Sequence, residues 1–465
     1  MTFKQAVANT QLETRTANGM KTFHSSLSNA VDLFFQIGAS RGKNIIPQFE
    51  KAYADDRLVA MRPLFWARDV RGGAGEREIF SQVIRHLEAN YPDEIGQIIN
   101  LTPEFGRWDD LLVLQSVNGR KLAFDKIKQA LLVDHDGLCA KWMPRKGNDA
   151  VALRLHLGLT PKGYRKTLVG LTKVVETAMC SGDWSNINYS HVPSVASARY
   201  QKAFGRHDPT GYTLYKEQLK TGEAKINAAA VYPYDVIKSI RYEGDKEVAL
   251  AQWDALPNYI GDQLVLPMVD VSGSMTCAVA GNNNLRCIDI SLSLGLYLAD
   301  KNTGPFKDMF LTFSGDSRIE VLKGNLIQKM NQLERAHWAM NTDFNRAFDA
   351  ILKVAKDNDV KAEDMPKYVL ALSDMEFDAC VEHDDSALAM IKRKYEAAGY
   401  EVPNVIFWNL NARPGNSPVK YNQKGAALVS GFSPAIMASI LAAKNVDPES
   451  IMLETISNER YAVVQ

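Results

Sequence analysis

The residues best suited to chemistry stand in one short stretch, "VDVSGSM" (Val269 to Met275), where Asp270, Ser272 and Ser274 alternate directly after the apolar run "LVLPM". An apolar run that stops at polar residues has the pattern of a buried strand ending in a loop. The D-x-S-x-S spacing lets one carboxylate and two hydroxyls face a single point from that loop. A hard cation such as Mg²⁺ asks for about six oxygens in a near-octahedral array, usually including water or a partner's oxygen. Two further oxygens come from downstream: Thr342 in "MNTDFNRAF", just before a predicted helix, and Asp374 in "ALSDMEFD", at the end of another predicted strand. The expected metal ligands are therefore Asp270, Ser272, Ser274, Thr342 and Asp374, with Mg²⁺ or Mn²⁺ as the ion. No His or Cys cluster stands nearby in sequence to act as base or nucleophile, so an enzyme is not expected. Glu376 and Asp378, close by, could support the ligands from behind or be ordinary turn acids, and the turn reading is favoured.

These residues need elements to position them. After Leu256, strand-like runs "QLVLPMVD", "KDMFLTFS", "KYVLALSD", "PNVIFWNL" and "AALVSGF" alternate with the helical segments "CIDISLSLGLYLAD", "DFNRAFDAILKVAK" and "SALAMIKRKYEAAG". Such alternation predicts a doubly wound α/β sheet, in which ligands sit at the carboxyl ends of strands. Asp270 and Asp374 each close a strand, which places both on one rim. From about Ser28 to Leu256 the apolar residues instead recur at helical spacing, as in Phe80, Val83, Ile84 and Leu87, or Tyr164, Leu168, Leu171, Val175 and Met179. Clusters such as "RGGAGE", "PRKGND" and "GRHDPTGY" separate these helices, and strand signal is almost absent. The expected organisation is a helical region over 1–256, an α/β domain over 257–445 and a C-terminal tail over 446–465.

Composition narrows the function classes. At 465 residues, with 46% hydrophobic and 23% charged residues, the chain reads as an ordinary globular protein of two or three domains. Five scattered cysteines without a C-x-x-C pair give neither a disulfide framework nor a zinc site. The start, "MTFKQAVANT", has no apolar targeting core, and no stretch approaches the roughly 18–20 apolar residues of a membrane span. A cytoplasmic location is the expectation. Net charge is zero but unevenly spread: residues 141–225 hold 14 basic and 6 acidic residues, with Trp184, Tyr189 and Tyr200 among them. That stretch is either a footprint for a polyanion or a solvated helical surface. No P-loop or dinucleotide fingerprint emerges, since the glycine-rich "RGGAGERE" follows a helix.

Taken together, the five oxygen ligands resemble the metal-ion-dependent adhesion site of von Willebrand factor A domains and occur in that family's order. Asn341 stands where the family usually has Gly. Such a site implies a metal whose open position takes a carboxylate from a protein partner. The resemblance extends further, through "VDLFFQIGASRG", "RDVRGGAGERE", "GRWDDLL", "AKWMPRK", "INAAAVYPYDVI", "VDVSGSM", "SDMEFD", "VIFWNL" and "ALVSGFS". These pieces are similar to the Ro autoantigen (TROVE-domain) family, and more closely to its Ro-like branch of bacteria, plants and bacterial viruses. That resemblance implies a ring of HEAT-like helical repeats closed by a Rossmann-like A domain. It also implies RNA as ligand, with single-stranded ends in the ring's hole and structured small RNA on a basic outer face.

In the Ro family a basic helix followed by a Trp-Ser turn and a Ser-His pair contributes to RNA binding. Here "YRKTLVGLTKVVETAM" followed by "CSGDWSNINYSHVPS" is similar, and the resemblance nominates Arg165, Lys166, Lys173 and His191. Lys166 and Lys173, seven apart, would share one face of a continuous helix, and Trp184 and Tyr189 could stack on bases. His191 could equally be a cap or core histidine. Arg68, Arg71, Arg77 and Arg107, interspersed with acids, are expected to be structural. The alternative reading is a metal-dependent protein-interaction adapter, for example a partner of a AAA+ ATPase.

Overall fold

The structure, a computed structural model, describes residues 12–228, 230–243, 245–279, 282–313, 316–336, 343–378 and 387–465. It opens with an antiparallel hairpin of Glu13–Arg15 (β1) and Lys21–Phe23 (β2). Helices then follow one another and pack neighbour on neighbour, from Asn29–Ile37 through Ile46–Asp55, Arg57–Arg68 and Arg77–Asn90 to Lys246–Asp254. Local chemistry sets their starts. The Asp56 carboxylate accepts from Leu58 N and Val59 N to open one, and Thr160 with Pro161 opens another. The expected apolar stripe is realised in Arg77–Asn90, which buries Ile79, Phe80, Val83, Ile84 and Leu87.

One expected helix is two. The pattern from Tyr164 to Met179 divides into Pro161–Leu171 and Val175–Ser181, with Thr172 and Val174 extended between them. Thr172 Oγ1 donates back to Leu168 O (2.6 Å), and Thr177 Oγ1 donates to Thr172 O (2.9 Å). Hydroxyls thus take over carbonyls at the break, and the β-branched run adds little helical propensity to resist it. Lys166 and Lys173 therefore do not share a helix face.

The C-terminal half holds Val265–Val269 (β3), a second hairpin of Ala278–Val279 (β4) and Asn282–Arg286 (β5), Met309–Thr312 (β6), Ile319–Val321 (β7), Tyr368–Ser373 (β8), Asn404–Asn409 (β9) and Ala426–Ser430 (β10). Six of these form one sheet in the order β10-β9-β8-β3-β6-β7, parallel throughout except for β7 against β6. Numbered by chain order within the sheet, this is the doubly wound 3-2-1-4-5-6 arrangement, whose winding reverses between β3 and β8. Both strands are buried along their whole length, which is why their sequences are near-continuous apolar runs. Helix Cys287–Lys301 lies against β3, and Gly295 lets it approach so closely that a Cβ there would stand 2.4 Å from Val269 Cγ2.

A single apolar core runs from Leu33, Phe34, Phe65 and Trp66 in the first helices into the sheet, and a smaller one gathers Tyr189, Val192, Phe204, Tyr212, Tyr215 and Val248. The two halves meet at the sheet edge. Ser430 Oγ donates to Phe34 O (2.8 Å) and accepts from Gly38 N (3.0 Å), while Asn409 Nδ2 donates to Phe35 O (3.2 Å). The segment expected as a tail is built into this junction. Its helix Pro448–Ile456 packs on β10, Asn29–Ile37 and Arg57–Arg68. Beyond it, Tyr461 stacks on Phe105 with ring centroids 5.6 Å apart and donates to Asp69 Oδ2 (3.0 Å), and Arg460 Nη2 donates to Asp69 Oδ1 (2.8 Å). Among the described residues no helix is long and apolar enough to cross a membrane.

Candidate functional site

Ligands of doubly wound sheets bind where the winding reverses, outside the carboxyl ends of the strands. Asp270 directly follows β3 and Asp374 directly follows β8, so the two carboxylates stand at that reversal on neighbouring strands. Asp270 is fully buried, and its oxygens accept from Ser272 N (2.9 Å) and Ser373 Oγ (2.5 Å). Ser272 Oγ and Ser274 Oγ lie 3.0 Å apart, and Ser274 Oγ donates to Asp374 Oδ1 (3.2 Å). Four of the five sequence-predicted ligands are therefore gathered at one place. The fifth, Thr342, lies outside the described residues.

The electrostatics of this cluster favour a cation. Burial, reinforced by the nearby Asp374 charge, pushes the Asp270 carboxyl up to about 6. Burial also raises Asp374, although Arg413 opposes the rise. Two buried acids that repel one another, with hydroxyls beside them, suit a small oxygen-seeking ion, which commonly takes one or two carboxylates and completes its shell with water. Among the described residues no group of three or more His, Cys, Asp or Glu side chains is placed to hold a metal ion, so a cation here would depend on the two carboxylates with hydroxyl and water oxygens. The backbone adds a further sign: Met375, between Asp374 and Glu376, is buried at φ 65°, a left-handed conformation that costs a β-carbon-bearing residue energy and tends to persist where surroundings enforce it.

Several features of the site escaped the sequence analysis. Arg413, in the loop after β9, places Nη2 2.7 Å from Asp374 Oδ2 and Nη1 3.4 Å from Glu376 Oε1. Its strand neighbours β8, so the topology would have pointed to this loop had the strand order been known. Ser373 is visible in "ALSDMEFD" but reads as the last apolar-strand position. Glu376 is buried, not a surface turn acid: Ala17 N donates to its Oε2 (2.5 Å), Asn416 Nδ2 donates to its Oε1 (3.2 Å), and Asn18 Nδ2 donates to its backbone carbonyl (2.7 Å). The β1–β2 hairpin, which strand-poor sequence gave no reason to expect, thus seals one flank of the site. Cys277 and Cys287, ten residues apart, bring their sulfurs to 3.4 Å beside the oxygen cluster, so cysteines do gather there.

The proposed RNA residues lie elsewhere, on the helical half. Arg165 and Lys166 are exposed on helix Pro161–Leu171, Lys173 is exposed just past it, and His191 is exposed in the turn Tyr189–His191. Asn188, not His191, caps that turn, and His191 is not a core residue. Tyr189 is unavailable for base stacking: it is buried against Phe204, Tyr212 and Tyr215 and donates to Asp208 Oδ2 (2.8 Å). Trp184 is half-buried, with His207 stacked on its ring at 4.5 Å. Three of the arginines expected to be structural are ion-paired: Arg68 with Asp110 (2.7 Å), Arg77 with Asp109 and Asp110 (2.7 and 2.6 Å), and Arg107 with Asp109 (2.9 Å). Arg71 differs in being exposed.

Two family models match the chain. One, "Domain of unknown function (DUF7788)", covers residues 265–463, and the other, "Domain of unknown function (DUF2828)", covers residues 16–114 and 153–263. The two matches meet at the start of β3, where helices give way to the sheet. An uncharacterized protein of Acanthamoeba polyphaga mimivirus is 27% identical over 503 residues, spanning 95% of this chain and 86% of that relative. Among solved structures, the Ro (RSR) protein of Deinococcus radiodurans is similar at 15% identity with a TM-score of 0.49, covering 92% of this chain and 100% of that one.

Proposed function

We propose that the chain is a Ro-like RNA-binding protein, with a helical ring closed by an A-type domain and a divalent cation held at that domain's strand ends. The observation that carries RNA binding is a contrast in how cations are used. Arg68, Arg77 and Arg107 are matched by carboxylates, whereas Arg165, Lys166 and Lys173, with Lys202 and Arg206 on the following helix Ser194–His207, face solvent without an ion-pair partner among the described residues, and His191 is exposed as well. Unpaired cations along an exposed surface are what phosphates bind, and they supply affinity without reading sequence. Filter binding of single-stranded and structured RNA across a salt series tests this. Affinity that falls as salt rises supports the reading, and no affinity at low salt rejects it.

For the cation, Asp270, Ser272, Ser274 and Asp374 would be the described ligands, with Thr342 completing the set. The ion's chemistry there is to bind an oxygen ligand from a partner. Asp270 and Asp374 supply charge, Ser373 orients Asp270 through its hydroxyl, and Arg413 with the β1–β2 hairpin shields one side. We assign no catalytic step to this site. The adapter reading shares the cation and differs in what the helical half binds, so the same filter-binding series separates the two.

A further inference from the structure

We propose that Cys277 and Cys287 form a redox-modifiable dithiol, a site of reversible disulfide formation with small-molecule disulfides. The proposal does not depend on the cation or on RNA. The two sulfurs are in contact at 3.4 Å, and a disulfide of about 2.05 Å needs only a further approach of about 1.4 Å. The backbone already supplies the frame. Cys277 and Cys287 stand opposite one another across the β4–β5 hairpin, one step beyond the Ala278–Arg286 pair, and Cys287 N donates to Cys277 O at 3.1 Å. Cα atoms facing across antiparallel strands are about 4.5–5.5 Å apart, inside the window of about 4.4–6.8 Å that disulfides span. Side-chain rotation is thus the main movement required.

Exposure assigns the order of events. Cys277 is half-buried and reachable, whereas Cys287 is 2% exposed and its thiol points at Leu410 O (3.7 Å). Asn411 Nδ2 donates to Cys277 Sγ (3.3 Å), and Lys43 Nζ donates to Asn411 Oδ1 (2.5 Å), so the reachable sulfur sits at the end of a donor chain that begins with a cation. Cys277 attacks one sulfur of the small disulfide and releases one thiolate, which takes up the proton Cys277 has lost. Cys287 then attacks the Cys277 sulfur and displaces the second thiolate, which takes up the proton from Cys287. One S–S bond forms in the protein and one breaks in the reagent: two protein thiols are oxidised and the reagent is reduced to two thiols. The other described cysteines provide internal contrasts, since Cys180 is exposed and Cys139 is fully buried.

The test uses the full chain, purified reduced and equilibrated with oxidised and reduced glutathione at graded ratios, followed by peptide mapping under non-reducing conditions. The expected product is a bridge between the Cys277 and Cys287 peptides, with Cys180 carrying only a glutathione adduct. In Cys287→Ser the bridge is lost, and the glutathione adduct on Cys277 accumulates about tenfold over the parent because nothing resolves it. In Cys277→Ser, Cys287 stays unmodified. Three results overturn the proposal: no bridge at ratios that modify Cys180, a bridge from either cysteine to Cys380, or equal Cys277 adduct in the parent and in Cys287→Ser.

Discussion

Arg413 Nη2 lies 2.7 Å from Asp374 Oδ2 while Ser274 Oγ donates to Asp374 Oδ1 at 3.2 Å, so the carboxylate at the sheet's reversal point is shared between a built-in cation and the hydroxyl pair. A metal at this place would compete with the guanidinium for the same negative charge. Asp270→Ala is expected to abolish Mn²⁺ binding in calorimetry, because it removes one of two charged ligands. Arg413→Ala is expected to tighten binding by about tenfold, or about 1.4 kcal/mol. Weaker binding in Arg413→Ala would make the arginine a support of the metal site, not its rival.

The RNA reading makes a quantitative statement about salt. Each phosphate contact on a single strand contributes about 0.7 to the slope of log affinity against log salt. Replacing Arg165, Lys166 and Lys173 by Ala should weaken binding to all sequences alike and flatten that slope by about 2, as measured by filter binding. Asp270→Ala should leave both quantities unchanged. A triple variant that matches the parent would remove this surface from consideration.

Contact between the halves hangs on a glycine. A Cβ on Gly38 would lie 2.7 Å from the backbone oxygen of Ser430 and 2.8 Å from its Oγ, and β10 cannot retreat without disturbing its ladder with β9. Gly38→Ala is expected to cost about 2–3 kcal/mol in urea unfolding. Ala substitution at Gly147, where a Cβ meets nothing within 4 Å, removes no contact and serves to separate backbone strain at its φ of 86° from crowding.

Acid should loosen a different junction. Trp253 Nε1 donates to Asp300 Oδ2 (2.8 Å), and Lys329 Nζ donates to Asp300 Oδ1 and Asp308 Oδ1, both at 2.6 Å. Burial alone would raise the Asp300 carboxyl, but the hydrogen bonds from Lys329 and Trp253 outweigh it and leave the group below its ordinary range. A depressed folded pKa contributes stability that is present above the unfolded value of about 3.9 and is lost as pH falls through the lower folded value. Lys329→Ala should therefore cost about 3 kcal/mol at neutral pH, and its deficit relative to the parent should shrink below about pH 4. Thermal melts of both proteins between pH 3 and 7 would show it; a deficit that persists unchanged in acid would assign Lys329 a packing role instead.

The sequence was most legible where one periodicity governs a whole element. The runs around β3, β6, β8, β9 and β10 are buried on both sides, and uninterrupted apolar character announces them. The three-residue β7 and the β1–β2 hairpin carry no such signal, because half-buried residues such as Ile319, Glu320 and Thr14 are held by their partners rather than by a pattern. The gathering of Asp270, Ser272, Ser274 and Asp374 at one place was readable because three of them share one loop and the fourth ends a predicted strand. Arg413 was not, and Glu376 stayed between a supporting role and a turn acid, since both are placed by contacts between segments distant in sequence. The same holds for the broken helix at Thr172, where hydroxyls overrode a spacing that was itself correct on either side, and for the final residues, whose polar and apolar mixture hid the burial of Tyr461.

The clasp of Arg460 and Tyr461 on Asp69 reaches across 391 and 392 residues of sequence. On a ribosome adding roughly 5–20 residues per second, the partners of the earliest helices arrive roughly 20–80 s after those helices have emerged. Phe105, which stacks on Tyr461, and the helix of Phe34, which packs on β10, must wait through that interval with part of their apolar surface uncovered. Nascent chains must keep that surface from sticking to neighbours until Tyr461 has been made, and a product cut short before Arg460 would never close the clasp on Asp69 or cover Phe105 with the Tyr461 ring.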